Sequence, residues 1–171
     1  MAITIIVEDG TQVANANSFV SVADARIYAV NRGVALPSSD DELAAMLIKA
    51  VDYLEAQAES FQGERVSETQ DLQWPRTEVY IYGALVPSNV IPKSLISAQV
   101  QLAMAINAGL DLQPNITPET YVIKEKVGPI ETVYANPLHT GIMPTFTAAN
   151  SLIALLLKAS SVGFSLKTIR V

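Results

Sequence analysis

The sequence predicts a mainly α fold: a small helix bundle with extended arms and a minor β component. Two observations carry this. Apolar residues recur at helical spacing over residues 43–61, and the segment after Pro92 is apolar on most of its sides. A third observation sets the β share. Runs of β-branched or alternating residues are short, at 2–7, at about 120–135 and at the C-terminus. With 171 residues one domain is expected. Residues 1–110 form its helical core. Residues 111–171 add an extended arm or hairpin and a C-terminal amphipathic helix.

The first element, "AITIIV" at 2–7, is β-branched and closes at Glu8–Asp9–Gly10, a short strand ending in an Asp–Gly turn. Ser21 and Asp24 make an S-x-x-D capping pattern, so a helix is expected over about 22–32, ended by Gly33. Its apolar stripe reads Ala23, Ile27 and Val30, with Tyr28 adjacent. Ser39 and Glu42 repeat the pattern, and Asp40 and Asp41 add negative charge where a helix dipole favours it. The helix that follows places Leu43, Met46, Leu47, Ala50, Val51, Leu54, Ala58 and Phe61 on one face and Lys49, Asp52, Glu55 and Glu59 on the other. Gln62–Gly63 ends it.

Residues 63–91 read as an irregular crossing, broken by Pro75 and Pro87, with "TEVYIYG" as a short strand. Pro92 suits the first turn of a helix running to Ala108. That helix carries Leu95, Ile96, Ala98, Val100, Leu102, Ala103, Met104, Ala105 and Ile106, so it is either central in a bundle or sandwiched at an interface. Residues 110–119 form a linker with two prolines. "TYVIKEKVGPIETVYA" alternates and breaks at Gly128–Pro129, giving two strands or one extended arm. Neither of its faces is cleanly apolar, which suits an arm that pairs with a neighbouring subunit. After the loop at 136–147, a last amphipathic helix is expected over about 148–159, with Ala149, Leu152, Ile153, Leu156 and Leu157. "GFSLKTIRV" finishes as a short C-terminal strand.

Half of the residues are apolar and only 16% are charged, against roughly 25% in an average globular chain. Such a chain builds a core and keeps apolar surface for partners. No apolar run approaches the ~20 residues that span a bilayer, so no membrane partner is expected. The opening "MAITIIVEDG" has no basic leader segment, so synthesis in the cytosol is expected. The absence of cysteine excludes disulfides and thiolate metal sites. The net charge of −6 is uneven: residues 1–60 hold nine acids and three bases, and residues 121–171 hold two acids and five bases. This is not the strong basic patch of a protein that grips DNA.

No catalytic set emerges, and no catalytic, cofactor-binding or metal-binding residue is assigned. The one histidine, His139, has no cysteine or evident serine partner and reads as a loop or interface residue. "GERVSETQ" lacks the second glycine and the Lys–Ser/Thr pair of a phosphate loop. The acids Glu8–Asp9 and Asp40–Asp41–Glu42 lie where a turn and a helix start explain them. The only tryptophan stands in "DLQWPRTEVYIYG", beside Pro75 and Arg76. Trp74, Pro75 and Arg76 read as a structural anchor that pins the crossing onto the bundle, with Arg76 paired to Glu64, Glu68 or a neighbour's carboxylate. A base-stacking platform of Trp74, Arg76, Tyr80 and Tyr82 is the competing reading. It is opposed by Glu64, Glu68, Asp71 and Glu78 around it.

An ordered set of motifs spans residues 5–135: "VEDG" at 7–10, "ANANSFVSVADARIY" at 14–28, "AVDYL" at 50–54, "GERV" at 63–66, "LQWPR" at 72–76, Ile91–Pro92 opening an Ala-rich helix, and "KEKVGPIETVY" at 124–134. The set resembles the head–tail adaptor (connector, head completion) proteins of tailed bacteriophages, a group whose members also carry the label DnaT-like single-stranded-DNA-binding protein. The resemblance implies a structural virion protein, assembled in the host cytoplasm and placed at the head–tail interface. It implies a ring, typically of twelve copies, that docks on the portal protein and meets tail or stopper (terminator) proteins. DNA would pass through the lumen without specific binding. On that reading, candidate inter-subunit or portal contacts are Lys124, Lys126, Val127, Ile130, Tyr134, Leu152, Leu156 and Arg170. The alternative is a single-stranded-DNA-binding module, and in either case the chain is not an enzyme.

Overall fold

The computed structural model describes residues 2–114, strands 124–127 and 130–133 as backbone, and residues 146–158. The architecture is mainly α with a minor β component. In chain order the elements are α1 (Val22–Val30), α2 (Asp40–Glu55), a 3-10 turn (Ala58–Ser60), β1 (Glu64–Arg65), β2 (Arg76–Thr77), β3 (Tyr80–Ile81), β4 (Ala84–Leu85), α3 (Lys93–Asn107), β5 (Lys124–Val127), β6 (Ile130–Val133) and α4 (Thr147–Ile153). A second 3-10 turn, Ala154–Leu156, extends α4. The strands form three antiparallel pairs, β1–β2, β3–β4 and β5–β6.

The α3 helix is the hub, packing against α1, α2 and α4. Its buried residues are Leu95, Ser97, Ala98, Gln99, Val100, Leu102 and Ala103, which is the all-round burial of a central helix. The buried face of α2 is Leu43, Ala44, Leu47, Ala50, Val51 and Leu54, close to the expected stripe. Ser39 caps α2 by accepting from the Glu42 N–H at 3.4 Å. The helix ends at Glu55 instead of reaching Phe61. Phe61 still enters the core at 0% exposure, delivered by the 3-10 turn in an extended conformation.

Several expectations are corrected by packing. Residues 2–7 form no strand; Val7 makes a single bridge to Ser18. Side chains take the neighbouring donors: Ile6 N–H donates to Asn17 Oδ1, and Ile3 N–H to Asp41 Oδ1. In α1 the buried face is Ala25 and Ala29, while Ile27 and Val30 stay 60% and 68% exposed. Two alanines allow close approach of helix backbones, and that contact outweighs the larger stripe. The expected helix at 148–159 is the shorter α4 with its 3-10 extension, and Pro92 caps α3 as the residue before it. The expected C-terminal strand at 163–171 and the loop carrying His139 lie outside the described residues.

A buried amide joins three elements. Gln99 of α3 is 0% exposed. Its Oε1 accepts from Phe19 N–H at 2.9 Å, and its Nε2 donates to Ser18 Oγ at 2.8 Å and to the Leu47 carbonyl at 3.1 Å. A buried carboxylate organises the first loop in the same way. Glu8, 1% exposed, accepts from Gly10 and Gln12 through Oε1 and from Val13 through Oε2, at 2.8–3.0 Å. The "VEDG" motif is therefore a loop cage, and its glycine lies against a neighbour: a Cβ on Gly10 would stand 2.1 Å from the Asn89 carbonyl oxygen.

Residues 146–158 join the same core. Phe146 meets Tyr53 edge-on at 5.5 Å, and Ala149, Ile153 and Leu156 are buried. Phe61 bridges Leu157, Gln62 N–H donates to the Leu156 carbonyl, and Lys158 N–H donates to the Ser60 carbonyl, both at 2.8 Å. The β5–β6 pair has Lys124 opposite Val133 and Val127 opposite Ile130, so the two runs pair antiparallel within the chain. No helix among the described residues is long and apolar enough to cross a membrane.

Candidate nucleic-acid interface

Residues 58–86 form one folded crossing over the end of α2. Gly63 starts it at φ +62, and a Cβ there would stand 1.8 Å from the Thr77 carbonyl oxygen, so the β1–β2 pairing depends on the missing side chain. Glu64 lies opposite Thr77 and Arg65 opposite Arg76. The Trp74–Pro75 peptide is cis. Trp74 is fully buried, edge-on to Phe61 with centroids 5.8 Å apart. Its Nε1 has no hydrogen-bond partner among the described residues. Trp74 is therefore inaccessible to a ligand and cannot stack on a base in this fold.

Arg76 is also buried, at 6% exposure. The expected carboxylate partners do not hold it. Its Nε donates to the Gln62 carbonyl and its Nη2 to the Gly63 carbonyl, both at 2.7 Å, while Nη1 reaches Gln73 O and Oε1 at 3.3 Å. Backbone carbonyls orient this guanidinium without cancelling its charge, and burial with Arg65 nearby lowers its pKa from the ordinary value. Among the described residues the one ion pair is Arg26–Asp40, on the far side of the chain order. Glu55, at the end of α2, accepts the Gln73 N–H at 3.0 Å through both oxygens. Burial pushes its carboxyl up to about 7, although that N–H and Arg65 favour the ionised form.

Tyr80 and Tyr82 behave differently from Trp74. β3 and β4 pair with Ile81 opposite Ala84, leaving Tyr82–Gly83 as a two-residue connection. Both residues have positive φ, +50 for Tyr82 and +80 for Gly83, as a type I′ hairpin turn requires. Ile81 packs on the core, while Tyr80 is 53% and Tyr82 88% exposed. The strand alternation in "YIYG" was the sequence signal for this display; the two-residue Tyr–Gly turn was its second half.

A cleft of about 420 Å³ opens beside β1, lined by Arg65, Arg76 and Lys158 and by Glu59, Glu64 and Glu68, with Ala58 and Gln73. Gln62 links it to the hairpin: its main-chain oxygen accepts from Arg76, and its side-chain oxygen accepts the Tyr80 N–H at 3.2 Å. Gln62 thus ties the Tyr80 main chain to the Arg76 side of the cleft, while Trp74 is buried away from solvent.

The other candidate contacts are scattered. Leu156 is buried in the chain's own core, which takes it away from any partner, and Leu152 is half-buried against that core. Lys124, Lys126, Val127 and Ile130 lie on the β5–β6 hairpin. Tyr134 and Arg170 fall outside the described residues.

The chain belongs to the family described as "Putative DnaT-like ssDNA binding protein", whose model matches residues 3–171. No curated protein and no solved structure matches it. The family match overturns the assignment to phage head–tail adaptors. The structural virion role falls with it. The physical reason is visible in the motifs. Glu8, Gly10, Gly63 and Arg76 are occupied with backbone hydrogen bonds and close approaches, so they report how this chain folds and not what it assembles with.

Proposed function

We propose that this chain is a single-stranded-DNA-binding module that stacks bases on Tyr80 and Tyr82. The observation that carries the reading is Tyr82. It stands 88% exposed at the tip of a hairpin, in a left-handed conformation that favours Asn, Asp or Gly. A large aromatic there gains little from packing and works against its own backbone preference. Such outliers concentrate at functional sites. Tyr80 stands two residues away, and base–aromatic stacking tolerates any sequence because every base has a π-face. The family description supports the same reading.

The net charge of −6 shapes the binding. Phosphate attraction is local to Arg65, Arg76 and Lys158, so affinity is modest and most of it comes from stacking. The test is fluorescence anisotropy of a labelled oligo-dT at low salt with the native chain, Tyr80→Ala, Tyr82→Ala and the double variant. Each loss should weaken binding by about 1–3 kcal/mol, roughly 5- to 150-fold, with little change in Tm. Equal affinity in the double variant, or no anisotropy change for the native chain, overturns the reading.

A further inference from the structure

The cleft beside β1 gathers three cations whose positions are set by carbonyl oxygens. Arg65 donates to the Gln70 and Glu68 carbonyls at 3.2 and 3.1 Å. Lys158 Nζ donates to the Glu59 carbonyl at 2.8 Å. Arg76, nine-tenths buried, is held by the carbonyls of Gln62, Gly63 and Gln73. Glu59, Glu64 and Glu68 line the same cleft, yet none of them comes within ion-pair distance of a cation among the described residues. Neutral acceptors therefore fix the geometry of all three cations and leave their charge to act on the cleft.

An arginine carries five donors in a fixed fork, so Arg65 keeps donors beyond the two bonds it makes, and Lys158 keeps two of its three. Glu55 sits behind this wall on α2, tied to the Gln73 N–H. The acids at the rim, Glu59, Glu64 and Glu68, are at exposed positions on β1 and its flanks, where water screens their charge.

We propose that the cleft between Arg65, Arg76 and Lys158 is an anion subsite that takes one backbone phosphate of the strand stacked on Tyr80 and Tyr82. The proposal rests on the single-strand reading for its ligand; its anion chemistry stands on the cleft. Gln62 places the two halves side by side, since one residue accepts from both Arg76 and the Tyr80 main chain.

The test uses Arg65→Gln with Lys158→Gln, both exposed positions, so the buried Arg76 and the core stay intact. Oligo-dT affinity is measured against salt concentration, and pyrophosphate is titrated into the isotope-labelled protein. Losing the one phosphate contact on a single strand should shrink the log–log salt slope by about 0.7 in the double variant. Tyr82→Ala should lower affinity and leave that slope unchanged. Pyrophosphate should shift the Arg65 and Lys158 resonances of the native chain and compete with the oligonucleotide. An unchanged slope in the double variant overturns the subsite while leaving the stacking reading intact. If native protein binds no oligonucleotide, the single-strand reading fails. Pyrophosphate shifts that the double variant abolishes then still support an anion site, and their absence overturns it.

Discussion

The Trp74 indole meets the Phe61 ring edge-on, with centroids 5.8 Å apart and planes at 85°. Both rings are fully buried. Phe61 comes from the end of the α2 region and also bridges Leu157, while Trp74 comes from the crossing before β2. The pair therefore closes three segments distant in sequence around one contact, with the Arg76 guanidinium 5.9 Å from the centroid of the Phe61 ring. Edge-on aromatic pairs add about 0.5–1.5 kcal/mol to the burial of their surfaces.

Trp74→Ala should destabilise the fold by about 3–5 kcal/mol, the usual loss for a buried large aromatic. Urea denaturation checks it. The midpoint should fall, and the Tyr82→Ala variant should keep the native midpoint. A Trp74→Ala protein of native stability would place the indole outside the core.

Gln99→Leu removes an amide that satisfies the Phe19 N–H and the Leu47 carbonyl. The Leu47 carbonyl keeps its bond within α2, but the buried Phe19 N–H is left without a partner, so a loss of about 1–3 kcal/mol is expected despite the more apolar side chain. Hydrogen exchange offers a second readout: the Phe19 amide should lose its protection before the α3 interior does. A variant as stable as the native chain would show that the amide is not needed.

Glu55 makes stability depend on pH. Its carboxyl is raised from 4.5 to about 7 by burial, so the folded chain binds its proton more tightly than the unfolded chain does. Stability is then greatest below the unfolded value and declines as pH rises through this window, levelling off above about 7. After allowing for the carboxyl's partial exposure, the decline amounts to about 1–3 kcal/mol. Glu55→Gln keeps an acceptor for the Gln73 N–H and removes the titration. Urea midpoints at acid and at mildly alkaline pH should differ in the native chain and converge in the variant; equal pH dependence in both would contradict the assignment.

Tyr82→Asn separates stability from binding. Asparagine tolerates the left-handed conformation at φ +50 far better than an aromatic, so the hairpin should gain about 0.5–1 kcal/mol. Oligo-dT affinity should drop as it does in Tyr82→Ala. A variant that gains stability and keeps affinity would show that the aromatic ring at the tip has no part in recognition.

How far the sequence could be read depends on how local each signal is. The α2 stripe from Leu43 to Leu54 was legible because helical periodicity is a property of the segment itself. So was the central place of α3, apolar nearly all round, and the break at Gly128–Pro129. The Ile27 and Val30 stripe of α1 was misread because burial went to Ala25 and Ala29, a choice made by how closely α3 approaches. Residues 2–7 have strand composition but find only Val7–Ser18 to pair, and no sequence pattern reveals a missing partner strand. In the candidate site, the clustering of Arg76, Tyr80 and Tyr82 was visible, together with the acids around them. Which aromatics face water was not. Trp74 and Tyr82 lie eight positions apart in one irregular stretch, and composition treats them alike.

The sequence by itself determined the mainly α class, the helix starts at Ser21 and Ser39, and the break at Gly128–Pro129. These rest on spacing, capping chemistry and residue inventory, all of which act over a few residues. Tertiary structure alone decided the rest. It buried Trp74 against Phe61 and lifted Tyr82 into solvent on a left-handed turn. It also held Arg65, Arg76 and Lys158 on backbone carbonyls facing one cleft. Those outcomes depend on contacts between segments as far apart as Glu59 and Lys158, where free energy is set by which surfaces meet and no local pattern records the choice.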